Sequence, residues 1–536
     1  MSKNNFLKGA AILGIAGIIV KILGAFYRIP LSNIIQTEGM GYYQTAYPLY
    51  VLLLTVSTSG FPVAIAKLVS EKRALGDYRG AFKAFKVAFA GLFIAGLITS
   101  LFVFSNARSI VKFLGNENAY YALLGLGPAL FFVPLMSAFR GFFQGRQYMM
   151  PTALSQIAEQ FFRVVIGLVL TLILLDRGKA VAAGGASFGG SVGAMAGTIV
   201  MIIIYLKGRK EIRNEMNTTR LHEEERISRI IKNLLIIAVP ITIGAAIVPI
   251  INTIDTLIVL KRLQSIGFTE MEANSLYGQL TGLAQTLINL PQIFSQALAV
   301  SLVPAISEAS ARKNYHDIRS ITTSGIRITL LIGLPCGIGL FILATPIINL
   351  LYYKNTLETI QSTGQILAVL SFGVIFLTLV QSLTAILQGL GRPFVSVKNL
   401  LFGAIAKIIL TYTLTGVKWI NIRGAAIGTV TAYLIAGVLD FISVRKYTRI
   451  RINIKEIFIK PIVSTLGMAV AGRLTYMGIL NIVDSRLATV VAIIVAAGVY
   501  GILLLVTRTL TYDDFSLLPK GDKIADKLVK LKLINR

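Results

Sequence analysis

Val87-Ala-Phe-Ala-Gly-Leu-Phe-Ile-Ala-Gly-Leu-Ile-Thr-Ser-Leu-Phe-Val-Phe104 runs for eighteen residues without a charge, directly after Lys83 and Lys86. As a helix it would reach about 27 Å, close to the ~30 Å hydrocarbon core of a bilayer. Ala488–Val506 is a second such run, and shorter ones such as Val164–Leu175 and Met195–Leu206 extend into stretches with small and polar residues. The whole chain of 536 residues is 55% hydrophobic and 14% charged, with a mean hydropathy of +0.74. A soluble chain of this length carries far more surface charge. The reading is an all-α polytopic membrane protein.

The formal net charge of +28 does not make it a nucleic-acid binder, because the bases sit between apolar runs and form no basic domain. Orientation of loops and attraction to anionic lipid account for them. The single cysteine, Cys336, excludes an intramolecular disulfide and a Cys-based metal site, and His222 and His316 fall in joints. Neither a cofactor nor a histidine proton relay is expected. The N-terminus resembles a signal peptide, but Lys21 interrupts its apolar run and no small-residue cleavage site follows. It is expected to remain as the first span.

About fourteen spans follow from the ~20-residue criterion. They lie near 9–33, 42–66, 84–105, 119–140, 151–175, 184–206, 233–260, 276–304, 326–350, 363–388, 396–416, 423–444, 457–479 and 487–508. Alternate joints are base-rich, with Lys67, Lys72, Arg73 and Arg79, then Arg140 and Arg146, then Lys207 to Arg226, and later Arg312, Arg392 and Arg445. The joints between them are poor in base: Asn33–Gly41 has none and Tyr353–Gln361 only Lys354. Positive residues favour the cytoplasmic side, so both termini are expected inside. The tail Lys520–Arg536 reads equally as a basic amphipathic helix on the inner leaflet or as a solvated end.

Two halves echo each other about 240 residues apart. Gly60-Phe-Pro62 matches Leu302-Val-Pro304, Gln144-Gly145 matches Gln388-Gly389, and Gly193-Ala-Met-Ala-Gly197-Thr matches Gly424-Ala-Ala-Ile-Gly428-Thr. Six spans per repeat is an even number, so the repeats are parallel. This sets the expected organisation: an N-lobe at 1–225, a C-lobe at 226–455, two accessory helices at 456–512 and a basic cytoplasmic tail at 513–536. In such a pair of lobes, transporters place substrate near the midplane.

A charge at mid-bilayer costs ~2.5–3.5 kcal/mol even on the lenient insertion scale and calls for a reason. Gly14, Gly17, Lys21, Gly24 and Arg28 recur at spacings of three and four and form one small, cationic helical face that Pro30 is expected to interrupt. Ser155, Glu159 and Arg163 share a face of the fifth span; Asn399, Gly403 and Lys407 share one on its repeat partner, the eleventh. Asp255 lies beside Asn252 and Thr256 in the seventh span, and the eighth carries Gln285 and Asn289. Some of these have structural readings too. Glu159 and Arg163 can neutralise each other, Asp255 can pair with Lys407, and Arg140 and Arg473 can snorkel to an interface. A cavity with Lys21, Arg28, Arg163 and Lys407 against Glu159 and Asp255 is net cationic, which suits a phosphate or pyrophosphate head group.

Lys21-Ile-Leu-Gly-Ala-Phe-Tyr-Arg28-Ile-Pro30, the Arg140-Gly-Phe-Phe-Gln-Gly-Arg146 segment and the six-plus-six-plus-two arrangement resemble one family. It is the MurJ-like and stage V sporulation protein B branch of the polysaccharide flippases, in the multidrug/oligosaccharidyl-lipid/polysaccharide exporter superfamily. The resemblance covers essentially the whole chain. It implies a bacterial plasma-membrane transporter, not an enzyme, that carries an undecaprenyl-linked anionic substrate such as lipid II from inner to outer leaflet by alternating access. It also implies a groove for the lipid tail at the last two helices, a first-span role for Lys21 and Arg28, and association with cell-wall synthesis machinery. Some relatives bind sodium through a seventh-span Asp, which Asp255 resembles. The chain departs from the Gram-negative pattern before Pro291, where Gln285-Thr-Leu-Ile-Asn-Leu lacks the expected Arg and Glu. A flippase for another undecaprenyl-linked repeat unit is the alternative, with a multidrug antiporter behind it. A glycosyltransferase would need paired acids, and Glu223-Glu-Glu225 reads as solvated charge in a basic loop.

Overall fold

The computed structural model describes residues 3–219, 225–450, 453, 455–507 and 509, with side chains from Ile12 onward. The tail 513–536 with its possible amphipathic helix, and Arg220, His222, Glu223 and Arg451, lie outside the described residues. Among the described residues every regular element is helical. The chain divides into two compact units, the first reaching to Gln264 and including Phe268–Gly278, the second taking in Ser265–Gly267 and Gln279 onward.

The first unit begins with α1 (Lys3–Thr58), which carries the first two spans. It runs on through Pro30 and bends instead at Gln36 (φ 55°, ψ −170°). Just after the proline Ser32 Oγ donates to the Arg28 carbonyl at 2.8 Å and Asn33 Nδ2 to the Ile29 carbonyl at 3.2 Å. Then come α2 (Phe61–Ala74), α3 (Tyr78–Leu114), α4 (Tyr120–Leu126), α5 (Ala129–Gly145), α6 (Met150–Leu174), α7 (Lys179–Lys207), α8 (Arg209–Asn217), α9 (Ile227–Ser265) and α10 (Glu270–Tyr277). Asp77 caps α3 by accepting from Gly80 N–H at 2.7 Å, and α3 ends on Gly115, whose φ of 77° is left-handed. The repeat assigns the seventh span to the second lobe, but α9 is tied into the first unit. Gly60 N–H donates to Thr242 Oγ1 at 3.1 Å and Gln264 Nε2 to the Gly115 carbonyl at 2.7 Å.

After the π-helical stretch that begins at Gly278, the second unit holds α11 (Gln285–Ile288), α12 (Gln292–Ala311), α13 (Tyr315–Ile342), α14 (Ala344–Leu351) and α15 (Leu357–Gly389). It continues with α16 (Pro393–Thr415), α17 (Arg423–Thr448), α18 (Lys460–Ile479) and α19 (Ser485–Val506). The eighth span, expected to be unbroken, is interrupted between Ile288 and Gln292. Pro291 there lacks the N–H that would continue the ladder. Among the described residues thirteen helices are long and apolar enough to cross a membrane, and Ile12–Ala74 among them holds two spans either side of its bend.

The sequence echoes mark equivalent close approaches. Gly145 on α5 faces Val69 of α2, where an added Cβ would come within 2.7 Å, and Gly389 on α15 faces Ile306 of α12 at 2.8 Å. Gly193 and Gly197 let α7 settle on α6 around Glu159, and Gly424 and Gly428 do the same for α17 on α16 around Thr411 and Thr415. Small residues are what allow such helix backbones to meet in lipid.

Candidate functional site: buried charge in each unit

In the first unit the buried charge centres on Glu159 of α6. Arg163, one turn further along, reaches its Oε1 at 3.4 Å, while Arg140 of α5 reaches Oε2 at 3.1 Å and donates through Nε to Ser155 Oγ at 3.0 Å. Arg140 is thus paired with a carboxylate on the neighbouring helix, and its side chain is only 15% exposed. Two guanidiniums share one carboxylate, so the triad keeps a net positive charge. The Nε–H of Arg163 is buried without a hydrogen-bond partner. Tyr43, Tyr47 and Tyr50 on the second half of α1 lie within electrostatic range of Arg163, and Tyr43 stacks on Tyr47 at 5.9 Å. Rigid, hydroxylated rings beside an under-used guanidinium suit sugar and phosphate oxygens.

Tyr27 anchors the first span against α6 and α7. Its hydroxyl donates to the Ala186 carbonyl of α7 at 2.9 Å, and its ring fills the space left by Gly167 of α6. The neighbouring Arg28 is half-buried and within electrostatic range of Tyr27 and Tyr43, as Arg163 is, so Arg28 and Arg163 serve one region. Lys21, two turns earlier, is exposed. Asp255 on α9 is 8% exposed, and Asn252 one turn before it is exposed. Thr256 already shares a 2.7 Å hydrogen bond with Tyr277 and donates to the Asn252 carbonyl at 2.9 Å. The Thr256 hydroxyl is therefore fully engaged within the protein.

In the second unit Asn399, Gly403 and Lys407 form one buried face of α16, with Lys407 9% exposed. Gln285 opens α11 and Asn289 follows its last turn, both half-buried at the broken eighth span. Sequence reading missed Asp440 of α17, which is 1% exposed. It accepts from Asn399 Nδ2 at 2.8 Å, Ser396 Oγ at 3.1 Å and Thr384 Oγ1 at 3.2 Å. Its signal was a carboxylate inside the apolar run of the twelfth span. An apolar groove of about 490 Å³ also lies in this unit, lined by Leu290, Phe294, Leu340, Met468, Ile493 and Tyr500 among others, so α18 and α19 form one side of it.

The base-rich joints near α8 are more ordered than solvated charge. Arg73 holds Glu215 through both guanidinium nitrogens, at 3.0 Å for one, and Arg146 reaches Glu211 at 2.9 Å and Glu215 at 3.3 Å. Glu225 pairs with Lys72 at 2.8 Å, which corrects its reading as solvated. Burial alone would push the Glu215 carboxyl up, but the Arg73 hydrogen bond and the charges of Arg146 and Arg73 hold it below its usual range.

Residues 6–310 match the family described as polysaccharide biosynthesis protein, and residues 280–413 match MatE. Stage V sporulation protein B of Bacillus subtilis is 30% identical over 97% of this chain and 98% of its own length. The chain belongs to the polysaccharide biosynthesis protein family. A further relative, the lipid II flippase MurJ of Bacillus subtilis, is 27% identical over 93% of this chain and 94% of its own. A solved structure titled lipid II flippase MurJ, inward closed conformation, superposes with a TM-score of 0.68 at 18% identity, covering 92% of this chain and 97% of that one. The chain is thus a multi-pass membrane protein of this family, and it shares the fold of that MurJ structure.

Proposed function

We propose that this transporter flips a lipid-linked, pyrophosphate-bearing cell-wall precursor, lipid II, from inner to outer leaflet by alternating access. The observation that carries the proposal is the surplus positive charge at Arg140–Glu159–Arg163, with the buried Arg163 Nε–H left over as a donor. An anionic head group supplies the missing acceptor, and a guanidinium engages phosphate with fixed geometry. Arg28 and Lys21 extend the positive face along α1, and Lys407 is the corresponding base of the second unit. Asp255 balances charge, and Asn252 in the first unit and Gln285 and Asn289 in the second offer polar groups to sugars. The groove along α18 and α19 is apolar enough to hold an isoprenoid chain, since each buried CH2 contributes ~0.8 kcal/mol. The base-rich joints favour both termini on the cytoplasmic side, and cell-wall synthesis enzymes on the outer side would receive the product.

The family description, polysaccharide biosynthesis protein, favours one second reading: another undecaprenyl-linked repeat unit carried by the same cationic face. Complementation of a strain depleted of its lipid II flippase separates the two. Growth restored by the wild-type chain supports lipid II, and failure at normal expression transfers the proposal to the other substrate.

A further inference from the structure

We propose that a second lipid site lies at the base-poor end of α18, where Arg473 holds the phosphodiester of an anionic glycerophospholipid. A cavity of about 500 Å³ opens there, and its polar lining comes from Asn349, Gln361, Gln365, Arg473, Tyr476 and Ser485. It is separate from the charges gathered at Glu159 and does not depend on which substrate is carried. Its position in the outer leaflet rests on the base-rich joints being cytoplasmic.

Arg473 lies six residues before Ile479, the last residue of α18, which puts its Cα about 9 Å inside the helix end. Among the described residues it has no acidic or hydrogen-bonding partner. Asp484, the nearest acid along the chain, is spent as the cap of α19 and accepts from Arg486 N–H at 3.2 Å, while the Arg486 guanidinium lies over the Tyr353 ring at 4.7 Å. Snorkelling would bring the Arg473 head toward water but would not explain a polar cavity beside it. The rim of that cavity is set in place by hydrogen bonds of its own, Tyr476 to Ser485 at 3.2 Å and Asn349 to Ser485 at 3.4 Å.

Charge and shape select the occupant. One guanidinium among neutral amides and hydroxyls matches a phosphodiester with one negative charge, whereas a pyrophosphate would bring a second charge with no base to meet it. Leu466, Val470 and Met477 stand seven and three residues before Arg473 and four after it, hence on the same side of the helix, and are 55%, 59% and 55% exposed. Acyl chains can lie along that open apolar side while the head group turns into the cavity, which leaves the groove at Met468 and Tyr500 to a carrier chain.

The test is native mass spectrometry of the full chain released from nanodiscs of equal phosphatidylglycerol and phosphatidylcholine, for wild type, Arg473→Gln and Arg473→Lys. The wild type should retain phosphatidylglycerol in preference, and Arg473→Gln should retain about tenfold less, as for the loss of one charge-assisted contact. Arg473→Lys should fall between them, keeping the charge but losing the planar fork. An equal melting temperature of wild type and Arg473→Gln in phosphatidylcholine alone shows that folding is not the cause. If that variant is unstable, the Arg473→Lys comparison decides. Equal retention by all three chains overturns the proposal. So does Arg473-dependent retention of added undecaprenyl phosphate over phosphatidylglycerol, which would assign the cavity to the carrier.

Discussion

Arg140 and Arg163, on adjacent helices, hold one Glu159 carboxylate between them at 3.1 and 3.4 Å. The arrangement differs from an isolated pair one turn apart on a helix, because the second arginine relieves the first of its counter-charge. Arg140 spends its donors on Ser155 and Glu159, whereas Arg163 keeps a buried Nε–H unused.

The two arginines should therefore separate on mutation. Arg163→Ala should weaken binding of a lipid-linked pyrophosphate by about 10- to 100-fold, the loss of one charge-assisted interaction of ~1.5–3 kcal/mol. Arg140→Ala should cost less binding but more thermal stability, because Ser155 and Glu159 lose a partner. Titration of labelled substrate into nanodisc-held protein, alongside melting curves, checks both.

The small-residue seam gives a prediction about packing. Gly193→Val sets a side chain against the Glu159 backbone, whereas a Cβ on Gly91 of α3 meets nothing within 4 Å. Gly193→Val should destabilise by about 1–3 kcal/mol and disturb the charge triad; Gly91→Val should leave the melting temperature in detergent nearly unchanged.

Much of this was legible in sequence. Spacing put Glu159 with Arg163 and Asn399 with Lys407 on single helix faces, and the Gly193/Gly197 and Gly424/Gly428 echo marked the seams. The partner of Arg140 was not, because it lies on the next helix and the contact depends on how α5 and α6 cross. The bend fell at Gln36 and not at Pro30: Gln36 leaves helical φ and ψ, whereas the helix runs on through the proline. Asp440 escaped for a similar reason: its three donors come from α15 and α16, a register no single run of sequence records.

Asp440 itself should be structural first. Asp440→Ala removes the acceptor shared by Asn399, Ser396 and Thr384 at a site 1% exposed, leaving Ser396 and Thr384 only each other and Asn399 only Ser443, a cost of about 1–3 kcal/mol. Asp440→Asn, which keeps one acceptor, should lose less. A melting-temperature series of the two variants checks the order.

The Glu215 contacts predict a pH dependence. Its carboxyl is held below the ordinary value near 4.3, so its contribution is complete above that value and fades as pH falls through the lowered one. For a partly exposed ion pair the contribution is about 1 kcal/mol or less. The stability difference between wild type and Glu215→Gln should thus be constant from neutral pH to about pH 5 and shrink in stronger acid. Calorimetry across that range reads it directly.

The central claim is that the positive face of the first unit carries an anionic lipid head group across the bilayer. Its most direct measurement is the flipping rate of fluorescent lipid II in proteoliposomes for wild type, Arg28→Ala and Arg163→Ala. Wild type should move the lipid well above empty vesicles, and both variants should fall by about tenfold or more at equal reconstitution. Wild-type flipping with both variants unimpaired would contradict the account.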